Sequence, residues 1–185
     1  MPVARKATAT ARCSAAALAG IIGVIGIIGI ASIAATTACS DPGPPCGPRE
    51  ATVERVIDGD TIVVPGVVPG DVKIRYLLVD APEATAGHTD CYGASASRFN
   101  ADLVLGKTIQ LAYDARCQDL FGRTLAYVTV DGQDVNRLLI ERGYACVLHI
   151  PPDGDARADE LEALEAAART ARRGLWGACD PIPCK

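Results

Sequence analysis

Five runs rich in β-branched residues, Pro/Gly and Asp-Gly turns between them, and three stretches of helical periodicity predict a mixed α+β domain. Strands come first, one helix interrupts them, and two helices close the chain. That order predicts a β-barrel with helices of the OB type, five strands and three α-helices.

The elements follow in order. Val53, Val56 and Ile57 lead into the turn Asp58-Gly59-Asp60, and Thr61 to Val64 follow, so a hairpin opens the domain. A second turn, Pro65 to Gly70, precedes a strand from Val72 to Val79 whose alternation gives way to residues apolar on both faces. Tyr92, Ala96, Phe99 and Leu103 recur at helical spacing, with Gly106 as the C-terminal stop. Lys107 to Tyr113 and Thr124 to Val130 are two further strands. Asp134 caps a short helix bearing Val135, Leu138 and Leu139, which Gly143 ends. The last helix is expected over residues 155–173, with Leu161, Leu164, Ala168 and Ala171 as its buried stripe and Glu165–Arg169 as a pair four residues apart.

The domain proper is therefore residues 50–177. Residues 39–49 form a Pro/Gly-rich tether, and 178–185 a Cys/Pro tail. Residues 1–38 read as a targeting segment: Arg5, Lys6 and Arg12 precede a run from Ala15 to Ala35 without a charge. Three readings compete. A lipoprotein signal would cleave before Cys39 and lipidate it, a plain secretory signal would be cut nearby, and an uncleaved anchor would span the bilayer. Each exports the domain, either tethered to a membrane on the periplasmic or extracellular face or secreted.

Removing residues 1–38 leaves 15 basic and 22 acidic groups, a formal net charge of −7. Such a surface does not favour nonspecific adhesion to nucleic acid, so a polyanion would need a local positive site. Cys46, Cys91, Cys117, Cys146, Cys179 and Cys184 remain besides Cys39, an even six that suggests disulfides in an oxidising compartment. No Cys-x-x-Cys occurs, which argues against zinc. Cys91 opens the first helix and Cys117 stands just before Asp119, so Cys91–Cys117 is the expected bridge.

Four polar clusters interrupt the strands: Asp58 and Asp60, Arg75, Asp80 with Glu83, and Asp119 with Arg123. Taken singly, the first and third read as turn chemistry and the last as a surface pair. Arg75, among Leu77, Leu78 and Val79, is costly to bury alone and implies a nearby anion. Together they suit one task. Carboxylates bind a hard cation such as calcium, guanidinium groups fork onto phosphate oxygens, and a further carboxylate activates water.

Arg55-Val-Ile-Asp-Gly-Asp-Thr61, Ile74-Arg-Tyr-Leu-Leu-Val-Asp-Ala-Pro-Glu83 and Phe121-Gly-Arg-Thr-Leu-Ala-Tyr127 resemble the thermonuclease (staphylococcal nuclease) family. The similarity continues in order to Gly174-Leu175-Trp176. It implies an OB fold and calcium-dependent hydrolysis of DNA and RNA that leaves 3′-phosphates. By that resemblance Asp60, Asp80 and the backbone carbonyl of Ala81 hold Ca2+, with Asp58 reaching it through water. Glu83 is the general base, and Arg75 and Arg123 grip the scissile phosphate. Ala81 stands where the best-known member has Thr. Leu120 and Phe121 replace a Lys and a Tyr, and His149 replaces a Tyr that packs on the nucleotide, which leaves Phe121 and His149 as substrate contacts. The implied partner is nucleic acid, with a lipid or signal anchor to the membrane, no protein partner and a monomeric chain. The rival readings are a catalytically inactive nucleic-acid-binding OB module and a disulfide-stapled surface protein.

Overall fold

The structure is a computed structural model that describes residues 46–66, 70–85 and 87–184. Cys39 and the targeting segment lie outside the described residues. Among those described, no helix is long and apolar enough to cross a membrane.

The elements run β1 (Glu50–Thr52), β2 (Arg55–Val56), β3 (Thr61–Pro65), β4 (Asp71–Tyr76), β5 (Leu78–Asp80), β6 (Ala84–Thr85) and β7 (His88–Thr89). Then come α1 (Gly93–Val104), β8 (Thr108–Ala112), β9 (Thr124–Val130), β10 (Gln133–Asp134), α2 (Val135–Glu141), β11 (Cys146–Leu148), α3 (Ala158–Thr170) and the one-turn α4 (Leu175–Ala178). The main sheet is mixed, in the order β1-β8-β9-β4-β3-β2, with β10 on β9. Its parallel pairing, β4 with β9, sets Ile74 opposite Thr124 and Arg75 opposite Leu125.

The long third strand of the sequence reading is two strands. Leu78 adopts a positive φ of 60°, which breaks β4 from β5 and turns β5 away to pair with β11. The run was apolar on both faces because each half packs against a different layer. Asn136 of α2 secures the break: its amide donates to Leu77 O at 2.8 Å and its Oδ1 accepts from Val128 N at 2.9 Å. Asn136 is fully buried, so both bonds are made in a site where leaving them unmade is expensive.

The helices follow the sequence pattern with shifts. Asp134 caps α2 by accepting from Arg137 N at 3.0 Å, and Gly143 follows its end with φ 72°. The buried face of α1 is Gly93, Ala96, Asn100 and Val104, one residue round from the expected stripe, while Phe99 stacks on Tyr144 at 4.1 Å. In α3 Leu161 and Ala168 are buried, but Ala171 is exposed beyond the helix end, because α3 stops at Thr170. The core joins Ile62, Ile74, Tyr76, Ile109, Val128, Leu139 and Leu161 across sheet and helices.

The expected Cys91–Cys117 bridge is not formed. Cys117 bonds Cys46, Cys91 bonds Cys179, and Cys146 bonds Cys184. The described segments flanking the domain pack against it and supply the other half of each bridge. Arg49 O accepts from Leu111 N, Pro48 O accepts from the Tyr113 hydroxyl, and β1 pairs with β8, which carries Cys46 to the loop after β8. At the other end α4 lies against the start of α1, with Cys91 Sγ 3.7 Å from Ala178 O. Residues 46–49 and the tail up to Cys184 are therefore stapled to the domain.

Candidate active site

Three neighbouring strands bring the charged groups together. Thr61 of β3 lies opposite Arg75 of β4, and Arg75 opposite Leu125 of β9. Asp60 precedes β3 and Arg123 precedes β9, so all three side chains issue from the same end of adjacent strands, spaced about 4.8 Å apart. The break at Leu78 returns Asp80 to the same place.

Arg75 is only 8% exposed, and the anion its burial demanded is present twice. Its Nη1 lies 2.9 Å from Asp60 Oδ2 and its Nη2 3.5 Å from Asp80 Oδ1, and it also donates to the Val79 carbonyl. Asp60 and Asp80 are themselves 4% and 6% exposed. Asp60 is tightly held: Oδ2 accepts from Ala81 N at 2.7 Å and Oδ1 from the Thr61 hydroxyl at 2.9 Å. Burial nonetheless lifts its carboxyl to about 7; the attraction of Arg75 opposes this and the charge of Asp58 adds to it. Asp58 Oδ1 accepts from Asp60 N at 3.0 Å, an Asx turn that fixes the hairpin tip.

Close packing holds the two loops. A Cβ on Gly59 would stand 2.5 Å from Ala81 Cβ, so only glycine lets the hairpin meet the segment after β5. A Cβ on Gly93 would collide with the Glu83 carbonyl, so α1 starts against the backbone of Glu83. Asn100 of α1 donates to Asp58 O at 3.0 Å and accepts from the Tyr76 hydroxyl at 2.9 Å. Burial pushes that phenol well above its usual range.

On the far wall, Asp119 organises the loop before β9. Its Oδ1 accepts from Phe121 N and Arg123 N, each at 2.9 Å, and its Oδ2 from Arg123 Nε at 2.7 Å. Burial alone would raise the Asp119 carboxyl; the hydrogen bonds and charge of Arg123 outweigh it and hold it below the carboxylate range.

One cavity of about 730 Å3 is lined by Asp58, Asp60, Arg75, Asp80, Ala81, Glu83 and Arg123. Phe121, 83% exposed, joins its rim, as does Leu120, which is 101% exposed. His149 does not line the cavity: its ring meets Asp155 Oδ1 at 2.8 Å, and the neighbouring Ile150 lines the wall instead. Sequence reading missed Lys73 and Arg116, which also line it. Lys73 was legible, since it stands two residues before Arg75 on the same strand face. Arg116 was not. It reaches the site through a fold contact, bonding Asp153 Oδ1 through its backbone N at 2.8 Å and Ile150 O through Nη2 at 2.8 Å.

A profile of the family "Staphylococcal nuclease homologue" matches residues 73–178, from β4 through α4. The chain belongs to the staphylococcal nuclease family. Among its relatives, the SPbeta prophage-derived endonuclease YokF of Bacillus subtilis is 36% identical over 132 residues, covering 69% of this chain and 44% of that protein. Endonuclease YncB of the same organism is 38% identical over 129 residues, covering 68% and 60%. The thermonuclease of Staphylococcus intermedius is 33% identical over 126 residues, covering 67% and 74%. The chain thus spans about half the length of the two Bacillus relatives.

The staphylococcal nuclease-like site offers a metal only oxygen donors: carboxylates and a backbone carbonyl. Such a set suits a hard cation, and a carboxyl as reluctant to ionise as that of Asp60 gains from one. Among the described residues no three acidic, histidine or cysteine side chains are already grouped as ligands. Arg75 is a charged partner that Asp60 and Asp80 share.

Proposed function

We propose that the chain is an exported, calcium-dependent nuclease that hydrolyses phosphodiester bonds of DNA and/or RNA and leaves 3′-phosphates. The observation that carries this reading is the cavity itself, where two arginines from neighbouring strands face a wall of carboxylates. Asp60, Asp80 and the Ala81 carbonyl would hold the calcium, with Asp58 acting through water. Bound there, it would supply Lewis-acid stabilisation of the phosphate oxygens.

The chain's own groups do the rest. Glu83 takes a proton from the attacking water, whose oxygen bonds to phosphorus. The bond from phosphorus to the 5′-oxygen breaks, that oxygen takes a proton from solvent water and leaves as a 5′-hydroxyl, and Glu83 returns its proton to solvent. Arg75 and Arg123 donate to the phosphate oxygens as their charge grows, from two sides of the cavity. Phe121 offers a ring at the rim on which a base can rest. The family implies an OB-type fold, and the β1-to-β2 path of the main sheet is read as its barrel. Paired Cys46, Cys91, Cys117, Cys146, Cys179 and Cys184 support an oxidising compartment, and residues 1–38 with Cys39 support membrane tethering.

The test is turnover of plasmid DNA and RNA in calcium, magnesium and chelator, for the wild type and Arg123→Lys. Lysine keeps the charge and loses the fork, so kcat should fall about 10²-fold or more, the usual cost of one transition-state donor. Full activity in chelator, or an inert Arg123→Lys change, would place the chemistry elsewhere.

A further inference from the structure

A second cavity, a groove of about 540 Å3, is lined by β2, the β6 and β7 strands and α1. It carries guanidinium groups from Arg55 and Arg98, the hydroxyls of Ser97 and Thr89, and one carboxylate, Glu54. Arg98 is exposed and has no hydrogen-bond or ion-pair partner among the described residues. Arg55 has Asp71 at 3.1 Å, both side chains being 58% exposed. Such a pair is worth little in water and exchanges readily for a stronger anion.

The groove adjoins the candidate active site. Ala84 lines the groove and Glu83 lines the catalytic cavity, consecutive residues whose Cα atoms stand about 3.8 Å apart. A polymer bound across the cavity and leaving past Glu83 would meet the edge of the groove at Ala84. We propose that the groove binds the sugar-phosphate backbone of the nucleic acid on the Glu83 side of the scissile bond. This rests on the nuclease reading and adds a binding site to it.

The lining favours backbone over bases. No aromatic side chain lines the groove, so it lacks the platform on which a base would stack. Guanidinium forks and hydroxyls are the groups that meet phosphate and sugar oxygens. The chain carries a net charge of −4, so a long polyanion is held only where positive groups cluster. At the catalytic rim Leu120 supplies no charge, and Arg55 and Arg98 are placed to make up part of that deficit.

The test measures binding of a fluorescent 30-mer of single-stranded DNA to the full-length chain by anisotropy. Calcium is present, and Glu83→Gln is used as background to slow turnover. Arg55→Gln with Arg98→Gln should raise Kd about fivefold and lower the slope of log Kd against log salt by about 1.4, at ~0.7 for each single-strand phosphate contact. Arg98→Lys should restore part of the slope, which separates lost charge from lost fold. A dinucleotide, too short to leave the catalytic cavity, should lose much less affinity. Equal losses for dinucleotide and 30-mer, an unchanged slope, or the same loss on changing the exposed Arg142→Gln outside the groove would overturn the proposal. Failure of the nuclease reading shows itself differently: the chain with native Glu83 would cleave neither substrate, whatever the salt slope.

Discussion

Replacing Asp119 by Asn is the most informative change that leaves the proposed catalytic groups themselves intact. Asp119 touches no other carboxylate of the site, yet it accepts three hydrogen bonds, and Arg123 supplies two of them. Asparagine keeps one oxygen for the Phe121 and Arg123 backbone amides. It offers an NH2 where Arg123 Nε needs an acceptor, so the guanidinium loses its anchor. The broken bond is charge-assisted, but with Arg123 29% and Asp119 18% exposed, solvent screens much of it. A stability loss of about 1 kcal/mol is expected.

The effect on turnover should be larger. A guanidinium misplaced by about 1 Å can cost on the order of 10²-fold. Asp119→Asn should therefore lower kcat about 10- to 100-fold with little change in KM, and should add almost nothing to Arg123→Lys in a double variant. The pH dependence is a second check. The folded carboxyl of Asp119 sits below its unfolded value, so its contribution is present above about pH 4 and lost as pH falls through the folded value. The stability gap between wild type and Asp119→Asn should close below that pH. A variant whose kcat stays within about twofold of wild type, while Arg123→Lys is crippled, would refute the claim that Asp119 aims Arg123.

Three further outcomes are expected. Leu120→Lys, at a side chain fully outside the fold's packing, should lower KM for long DNA more than it alters kcat; a change confined to kcat would contradict this. Asn136→Ala strands Leu77 O and Val128 N in the core and should cost about 2–4 kcal/mol by urea denaturation, with β5 and hence Asp80 displaced; a loss below about 1 kcal/mol would mean that the break at Leu78 does not depend on it. Asp60, raised to about 7 when folded, is protonated more readily in the native than in the unfolded chain, so chelated protein should lose stability as pH rises from about 5 to 8, and calcium should reverse that loss at pH 8. Chelated protein that gains stability over this range would show the carboxyl ionising without penalty.

What the sequence made legible follows from periodicity and turn chemistry. The hairpin at Asp58-Gly59-Asp60, the cap at Asp134, the stop at Gly143 and the two strands β8 and β9 depend on neighbours in the chain. So did the inference that Arg75 needs an anion, because desolvation cost is a property of the residue and its apolar neighbours. The disulfides depended on how the segments flanking the domain pack, which no local pattern records: Cys46 and Cys117 are 71 residues apart, Cys91 and Cys179 are 88 apart. The break at Leu78 was hidden for the same reason, since it is held by Asn136, on a helix that follows five later strands. Arg116 entered the site through Asp153, a buried carboxylate in a loop that reads as solvent-exposed.

Arg75 ties the legible and hidden parts together. Its guanidinium balances Asp60 and Asp80, and in the proposed reaction the same group meets the phosphate. Above about pH 7, where Asp60 ionises along with Asp80, two buried carboxylates with one buried arginine leave a net negative charge at the floor of the cavity, which by itself repels a polyanion. Phosphate can take Arg75 only if another cation relieves those carboxylates, so cation and substrate should bind with positive coupling, each raising the affinity for the other by the same factor. Titrating calcium with and without a dinucleotide measures that factor directly. Replacing Arg75 by Gln should remove the competition for the carboxylates together with one phosphate contact. Calcium should then bind more tightly without the dinucleotide, and the coupling should shrink. If Arg75→Gln weakened calcium binding and left the coupling intact, Arg75 would be organising the carboxylates for the metal, not competing with it.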